Sequence, residues 1–327
     1  IVRETKGGSS DNKNARLEDQ KTRFASVGGD HLFGNVVFDW GFSYASASED
    51  RPEERYISYS GESPIDLNLS DLESPHVSVL DPNYTDLNNS LDGEEYYWGL
   101  DDLTEEHQWT KDEDMNFNLN AEIPILKGTY KNSIKFGGKY RYKKKIRDNK
   151  FYAYEPGDEF AFNTNSLGDL TDESKDDFLA GDYNVGSFVN EEYLGELDFN
   201  TENFEGEEDL EEIAGNFEAD ETIMAGYIML TQNFGEKFSA IAGVRFENTQ
   251  NKSFGYQLSI DDQGDPSIEQ TPEQDNSYLS TLPAVLLNYR MNRTTVFRAS
   301  WTNSIARPNY YDLVPVSYTH LRAHETA

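Results

Sequence analysis

Two groups of residues in this chain could bind a metal through their type and spacing. His320 and His324 stand four residues apart, a spacing that places both imidazoles on one face of a helix and could chelate zinc. A second group follows part of the ligand order of a calcium loop: Asp198, Asn200, Glu202 and Asp209. This second match fails at its most diagnostic positions, because the sixth residue is not glycine and the twelfth is not glutamate. We predict a solvated loop there and no metal site.

Catalytic groups of a recognisable kind are absent from the sequence. The chain has five histidines and no cysteine, and no histidine stands beside a serine nucleophile in a known motif. No glycine-rich phosphate loop follows a predicted strand into a helix. We therefore predict that the protein is not an enzyme and holds no cofactor.

A basic segment from Lys139 to Lys150 is another candidate for function. Its cations are Lys139, Arg141, Lys143, Lys144, Lys145, Arg147 and Lys150. The alternate residues Lys139, Arg141 and Lys143 could line a lumen and attract an anionic ligand, while the others could contact lipopolysaccharide phosphates. Plain solvation is the third interpretation, and the sequence leaves all three open.

Strictly alternating segments position these groups. From Phe238 to Glu247 every second residue is apolar, and the residues between them include Arg245 and Glu247. The same alternation occurs in residues 35–45, 115–123 and 134–143. A strand with one apolar and one polar face indicates lipid on one side and water on the other.

This alternation assigns a side to each candidate residue. The predicted lipid-facing residues are Phe38, Trp40, Phe117, Phe136, Phe238, Val244, Phe246, Phe297 and Trp301. The predicted lumen residues, which would face substrate or a plug, are Lys139, Arg141, Lys143, Arg245, Glu247 and Arg298. A slip of one residue would exchange the two faces, so the pattern fixes the register strongly.

The composition of the chain excludes several classes of protein. The net charge of −33 excludes a nucleic-acid binder, and the lack of cysteine excludes a disulfide scaffold. No apolar run reaches the length of a membrane-spanning helix, an absence that leaves a membrane barrel open. The first residues, starting at Ile1, contain no export signal, so we expect the sequence to be a fragment of an exported protein.

The connections between predicted strands alternate between short and long. Short ones fall at residues 32–35, 124–132, 233–237 and 290–293, and long ones at residues 48–106, 156–219 and 261–275. This asymmetry predicts antiparallel hairpins with tight turns at one rim and large loops at the other. The loop between Asp158 and Glu221 holds 22 acidic residues and a single lysine, so we expect it to be solvated and without a compact core.

Family resemblance becomes specific in the carboxyl-terminal third. The segments that carry it, in order, are residues 225–234, 242–247, 282–289, 297–301 and 304–315, the last reading Ser-Ile-Ala-Arg-Pro-Asn-Tyr-Tyr-Asp-Leu-Val-Pro. Together they resemble the barrel of a TonB-dependent outer-membrane receptor. The resemblance implies a 22-stranded barrel in the outer membrane of a Gram-negative bacterium, an amino-terminal plug, and energised uptake of a scarce nutrient such as a siderophore, vitamin or oligosaccharide.

Partners follow from the same resemblance. It implies contact with the TonB complex through a plug and TonB box that this sequence lacks, with outer-membrane lipid and lipopolysaccharide, with a small nutrient ligand, and in some cases with a surface lipoprotein. The expected fold class is all-β, an antiparallel transmembrane β-barrel that is partial, with about eight of 22 strands and long acidic outer loops. A passive porin, an adhesin barrel and a soluble carbohydrate-binding β protein are the alternatives.

Two domains are expected from the sequence. Residues 1–315 form the partial receptor barrel. Residues 316–327 resemble a peptide produced when sequencing-adapter bases are translated, so we expect this tail to be non-native and His320 and His324 to have no function.

Overall fold

The computed structural model describes residues 2–9, 18–61, 65–70, 72, 76–79, 98–125, 132–156, 173–174, 187–201, 203–261, 263–310 and 318–319. The long strands are β1 (Val2–Gly8), β2 (Asp19–Phe33), β3 (Val36–Gly61), β6 (Trp98–Ile125), β7 (Asn132–Pro156), β11 (Phe217–Phe234), β12 (Phe238–Phe254), β15 (Gln274–Arg290) and β16 (Val296–Thr302). The short elements are β4 (Ile65–Asn68), β5 (His76–Val79), β8 (Glu173–Ser174), β9 (Ser187–Phe188), α1 (Glu191–Glu196), β10 (Phe204–Glu208), α2 (Leu210–Ile213), β13 (Tyr256–Ile260), β14 (Pro266–Gln270) and β17 (Tyr318–Thr319). Neither described helix has the length and apolar character needed to cross a membrane.

The chain divides into two compact units. Unit 1 comprises Ile1–Asp19, Asp50–Trp109 and Asn149–Ile213, and unit 2 comprises Gln20–Glu49, Thr110–Asp148 and Ala214–Ala327. The strands β3, β6 and β7 contribute residues to both.

Ten described strands belong to one sheet. Its part in unit 2 runs in the order β2, β3, β6, β7, β11, β12, β15 and β16, and β1 and β10 pair with the unit 1 parts of β3 and β7. Each strand pairs with the next long strand of the chain in this unit, and the ladders of β11 with β7 and β12 and of β15 with β12 and β16 are antiparallel. The order begins at β2 and ends at β16, so the described strands form an open sheet. The prediction of an all-β, antiparallel fold is confirmed, and the described sheet has ten strands where the sequence indicated about eight.

Tight turns join the hairpins of unit 2 where the sequence predicted them. Gly34 and Gly235 adopt positive φ angles of 62° and 79° in the turns before β3 and β12, a conformation that glycine adopts without steric cost. In the turn between β15 and β16, the Asn292 side chain accepts hydrogen bonds from the backbone amides of Thr294 and Thr295. The predicted turn at 124–132 falls mostly on residues outside those described.

The predicted long loops are shorter than the sequence suggested. Strand β3 continues to Gly61 and β6 begins at Trp98, so much of residues 48–106 is strand. Strand β11 begins at Phe217, and residues 261–275 contain β14 and the first residues of β15. The strand ends that the sequence missed lie beyond the apolar part of the sheet, and they are rich in charged residues on both faces. The alternation of apolar and polar residues that predicts a strand is therefore lost there.

Unit 1 has a hydrophobic core, which corrects the expectation that the acidic loop forms none. Its buried members are Ile57, Tyr59, Leu103, Val189, Leu194, Leu197, Phe199 and Phe204. Five of these come from the acidic loop. They pack against the strand residues, while neighbouring carboxylates such as those of Glu191 and Glu192 stay exposed at the start of α1. The apolar surface of β3 and β6 supplies a core that the loop could not build alone.

Arg55 connects the acidic loop to the strands of unit 1. Its Nη1 donates to the backbone carbonyls of Leu194, Gly195 and Leu197 at 3.2, 3.0 and 2.7 Å, and its Nε donates to Glu105 at 2.7 Å. The guanidinium also lies 4.4 Å from the centre of the Phe199 ring. One buried cation therefore satisfies the carbonyls at the end of α1, where a positive charge is favoured.

Glu105 is shared between Arg55 and His107. Burial favours the neutral form of this carboxyl, but hydrogen bonds with His107 and Arg55 outweigh burial and lower the pKa of Glu105. The contact with Glu105, at 3.4 Å, raises the pKa of His107. The cluster is thus arranged to keep a carboxylate beside the Arg55 guanidinium.

Candidate functional site

One face of the unit 2 sheet carries the residues predicted to contact lipid. Cross-strand pairs share a face, and the ladders pair Phe238 with Tyr289, Tyr289 with Phe297, and Val285 with Trp301. Strand pairing and the two-residue alternation along each strand place six further predicted residues on the same side: Phe246, Val244, Phe136, Phe117, Phe38 and Trp40. We call this side the apolar face. Phe297 and Trp301 are 58% and 59% exposed, so they offer apolar surface outward.

The opposite side, which we call the polar face, carries all six predicted lumen residues. Ala225 pairs with both Lys139 and Glu247, and Tyr227 pairs with Arg245. Arg141 and Lys143 follow Lys139 at two-residue intervals, and Arg298 pairs with Asn288, which pairs with Ser239. The structure therefore separates the two candidate sets by face. Their contacts with lipid and with ligand or plug stay predictions.

The height of the apolar face fits a bilayer. Along β12 it runs from Phe238 to Phe246, nine residues, and the next residue on that side is Asn248. Transmembrane strands need about 9–11 residues. Tyr142 and Lys144 follow Tyr140 on the same side of β7 and bond to Asp220 and Glu218. Charged and polar groups thus begin where the apolar band ends.

Carboxylates neutralise much of the basic segment. Arg141 forms a bidentate ion pair with Asp114, with its Nε 3.1 Å from Oδ1, and Lys145 Nζ lies 3.3 Å from Asp112 Oδ2. Lys143 is different. Its ammonium stands 5.2 Å from the centre of the Tyr310 ring, and no carboxylate oxygen within the described residues lies within ion-pair distance of it.

The segment after β16 is bound to the polar face by Arg307. This guanidinium forms ion pairs with Glu221, at 3.2 Å, and with Glu247. A second cation, Arg245, donates to the other oxygen of Glu247 at 2.8 and 3.0 Å. Both carboxylates are 6% exposed, so two arginines hold two buried negative charges in place.

Other buried polar atoms on this face have no protein partner among the residues described. They are Thr249 Oγ1, Asn251 Oδ1 and Tyr310 Oη. Thr249 and Asn251 follow Glu247 at two-residue intervals on β12, and Asn251 pairs with Glu221. Buried polar atoms are normally satisfied, so these positions suit water or a bound group.

A cleft of about 880 Å³ opens on the polar face beside this network. The strands contribute Thr22, Ala45, Ser46, Ala47, Asp112, Glu113, Asp114, Arg141, Lys143, Lys145 and Phe217, and the segment after β16 contributes Pro308, Asn309 and Tyr310. Tyr310 packs against Phe217 and Ala219. The cleft is large enough for a small organic molecule.

An apolar patch lies lower on the same polar face. It contains Tyr227, Met229, Ile241, Leu282, Ala284 and Leu286. The ladders pair Tyr227 with Arg245, Arg245 with Leu282, and Ile241 with Leu286, which fixes these residues on this side. Apolar groups of this extent are unusual on a surface that faces only water.

Sequence reasoning did not select several residues that the structure brings into this site. They are Asp112, Asp114, Glu221, Thr249, Asn251, Arg307 and Tyr310. Extending the two-residue alternation past the ends of the predicted strands would have found Asp114 and Thr249. Arg307 and Tyr310 lie outside any strand with a period, so only the fold reveals their role.

The candidate metal ligands are not brought together in the described part of the chain. The Asp198 carboxylate accepts from the Asn200 amide, and Asp209 accepts from the amides of Glu211 and Glu212. Both carboxylates therefore cap local turns. Glu202, His320 and His324 lie outside the described residues, and Tyr318 and Thr319 pair with β13.

Comparison with known proteins supports an outer-membrane fold. The sequence model of the outer membrane protein beta-barrel family matches residues 188–321. Together with the open antiparallel sheet and its two faces, this match places the protein in the outer membrane of a Gram-negative bacterium, as predicted. No curated protein sequence matches the chain.

Two solved structures are similar to this chain at low identity. The ferric-catecholate import receptor Fiu from E. coli K12 in its closed form gives a TM-score of 0.46 at 11% identity, covering 90% of this chain and 34% of the receptor. Its open form gives 0.25 at 8% identity, covering 92% of this chain and 54% of the receptor. The chain thus spans about a third of the length of the first receptor.

Arg307→Ala is expected to loosen the segment after β16. Loss of the guanidinium leaves Glu221 without an ion pair among the described residues and leaves Glu247 with Arg245 alone. We expect this to lower the free energy of local opening by about 1–2 kcal/mol, since Arg307 is partly exposed. Hydrogen exchange of residues 303–310 measures this. Arg293→Ala, in the exposed turn before β16, is the control and should have no effect. Equal protection in both variants would contradict the role of Arg307.

Proposed function

We propose that this chain forms part of the barrel wall of a TonB-dependent outer-membrane receptor that takes up a scarce nutrient by energised transport. The observation that carries the proposal is the apolar patch on the polar face, around Ile241, Leu282 and Leu286. An open pore filled with water would expose this patch, whereas a plug inside the barrel would cover it. The family resemblance implies such a plug.

The network around Arg307 supports the same proposal. Arg307 belongs to the segment 304–315 and Glu247 to the segment 242–247, so an ion pair joins two of the stretches on which the resemblance rests. Fixed charges on the inner side of a barrel can contact a plug or guide a ligand. In this function Lys139, Arg141, Lys143, Arg245, Glu247 and Arg298 face plug, ligand or water path.

Partners of the complete receptor are part of the proposal. The plug and its TonB box would contact the TonB complex, which supplies the energy, and the apolar face would contact lipid with lipopolysaccharide above it. A small nutrient would bind from outside, with or without a surface lipoprotein. The receptor itself performs no reaction on the nutrient, so we propose no enzymatic activity.

Genetic dependence on TonB tests the proposal in the source bacterium. We expect deletion of the gene that contains this chain to abolish growth on one limiting nutrient from a panel of siderophores, cobalamin, oligosaccharides and peptides. Inactivation of TonB should give the same defect in the presence of the gene. Growth that needs the gene but not TonB would contradict energised uptake.

A passive porin is the second candidate, since it would share the lipid-facing alternation. Swelling of proteoliposomes that contain the native protein separates the two. Arabinose should not enter through a receptor closed by its plug. Rapid swelling would instead identify an open pore and remove the receptor proposal.

A further inference from the structure

We infer that the cleft between β7 and the segment after β16 binds a small organic monoanion, with one carboxylate on Lys143 and a flat apolar body against Tyr310. This inference deepens the proposed function by naming a ligand class, and its biological meaning as nutrient binding rests on that function. The binding itself depends only on the cleft.

Among the three cations that line the cleft, Lys143 is the one that forms no ion pair with a described carboxylate. Arg141 is paired with Asp114 and Lys145 with Asp112, so the two outer cations of the row are neutralised. The third carboxylate of the lining, Glu113, accepts from Tyr44 and lies 3.3 Å from Lys111, a residue outside the cleft.

Lys143 therefore stands between two ion pairs, and no described carboxylate forms an ion pair with it. Its cross-strand neighbour Glu221 is bound by Arg307. Its ammonium offers three donors, and the ring of Tyr310 holds it in place. A single carboxylate on a ligand would complete the row. A second negative charge would meet Asp112 and Asp114, which flank Lys143 on the neighbouring strand, so a monoanion fits better than a dianion.

The apolar side of the site is formed by residues that packing and ion pairs hold in place. Tyr310 packs on Phe217 and Ala219, and the ion pairs of Arg307 fix the backbone three residues before it. Pro308 lines the cleft beside it. A flat ligand body could stack on this surface, as aromatic rings favour offset or edge contacts.

Tyr310 also offers a hydrogen bond. Its Oη is buried and has no partner among the described residues. Burial and the nearby Glu221 carboxylate raise the pKa of this phenol, so it stays protonated and can donate. The cleft thus presents an ammonium and an aromatic wall to one ligand, and the residue that forms the wall carries a buried hydroxyl donor without a described partner.

Binding of 4-fluorobenzoate to the native protein in detergent tests the site, measured by fluorine NMR titration. Lys143→Met should raise the Kd about tenfold, whereas Lys143→Arg should retain binding because the charge remains. Tyr310→Phe keeps the ring and should weaken binding only a few-fold. Lys237→Met, in the turn before β12, is the matched control and should bind like the native protein.

A second experiment compares the benzoate with a neutral and a cationic analogue of the same shape. 4-Fluorobenzamide and 4-fluorobenzylamine should bind much more weakly than the benzoate, and inorganic phosphate should not compete at equal concentration. Equal binding of benzoate and benzamide, equal loss in Lys143→Met and Lys143→Arg, or no binding of the benzoate would each overturn the inference. If the native protein does not bind the benzoate but growth depends on TonB, the site is refuted and the proposed function stands. If the benzoate binds but growth does not depend on TonB, energised uptake is refuted and the site stands.

Discussion

Arg55→Ala should detach the acidic loop from the strands of unit 1, with a loss of about 3–5 kcal/mol in the free energy of local opening. The reason is that one side chain satisfies three backbone carbonyls at the end of α1 and the carboxylate of Glu105. Removing it leaves the three carbonyls buried without this donor and leaves Glu105 with His107 alone. Hydrogen exchange of the amides in residues 189–199 measures the opening.

The matched control for Arg55 lies four residues away on the same strand. Arg51 is partly exposed and pairs with Glu18 at 3.5 Å, so Arg51→Ala should cost less than about 1 kcal/mol. Arg55→Lys is the informative intermediate, because lysine keeps the charge but not the planar fork of donors. A small effect of Arg55→Ala, similar to that of Arg51→Ala, would show that the core of unit 1 holds the loop without this cation.

Ala242→Arg is expected to destabilise the sheet in a bilayer by about 2–4 kcal/mol, the cost of an arginine at the midplane on the lipid side. Ala242 lies at the centre of the apolar band between Phe238 and Phe246, and it pairs with Val285. Equilibrium unfolding of the native protein in lipid vesicles measures the loss.

Ser300→Arg is the control at the same depth on the other face. Ser300 pairs with Leu286, which pairs with Ile241, the neighbour of Ala242. Arginine there joins the face that already carries Arg298 and Arg245, so we expect a smaller loss than for Ala242→Arg, although Ser300 borders the apolar patch. If the control were the more damaging substitution, the assignment of lipid to the apolar face would be reversed.

The central strands were predictable because their signal is local. In β12 the alternation of Phe238, Val244 and Phe246 with Arg245 and Glu247 fixes face and register without any knowledge of the neighbours. The pairing of β11 with β12 and of β15 with β16 then follows from the short turns. The same local signal assigned all six lumen candidates to one face.

The core of unit 1 was not predictable for the opposite reason. Leu194 and Phe199 are scattered among carboxylates without a period, so the acidic loop reads as solvated. They are buried against Ile57 and Tyr59, and the hydrogen bond from Arg55 to the Leu194 carbonyl spans 139 residues of sequence.

The ion pair between Arg307 and Glu247 was not predictable for the same reason. Arg307 lies 60 residues from Glu247 and outside any strand, so no local pattern connects them. The apolar patch around Ile241 was also missed, because the alternation predicted a polar inner face along its whole length. A plug would explain why apolar residues occur there.

Site-directed labelling of β12 tests the central claim most directly. The chain has no cysteine, so one cysteine at each position from 238 to 247 carries an environment-sensitive fluorophore at a unique place. In lipid vesicles the account predicts apolar emission, quenched by spin-labelled lipid, at 238, 240, 242, 244 and 246, and no lipid quenching at the positions between. Uniform quenching, or none at any position, would contradict a barrel wall with lipid on one face and polar surroundings on the other.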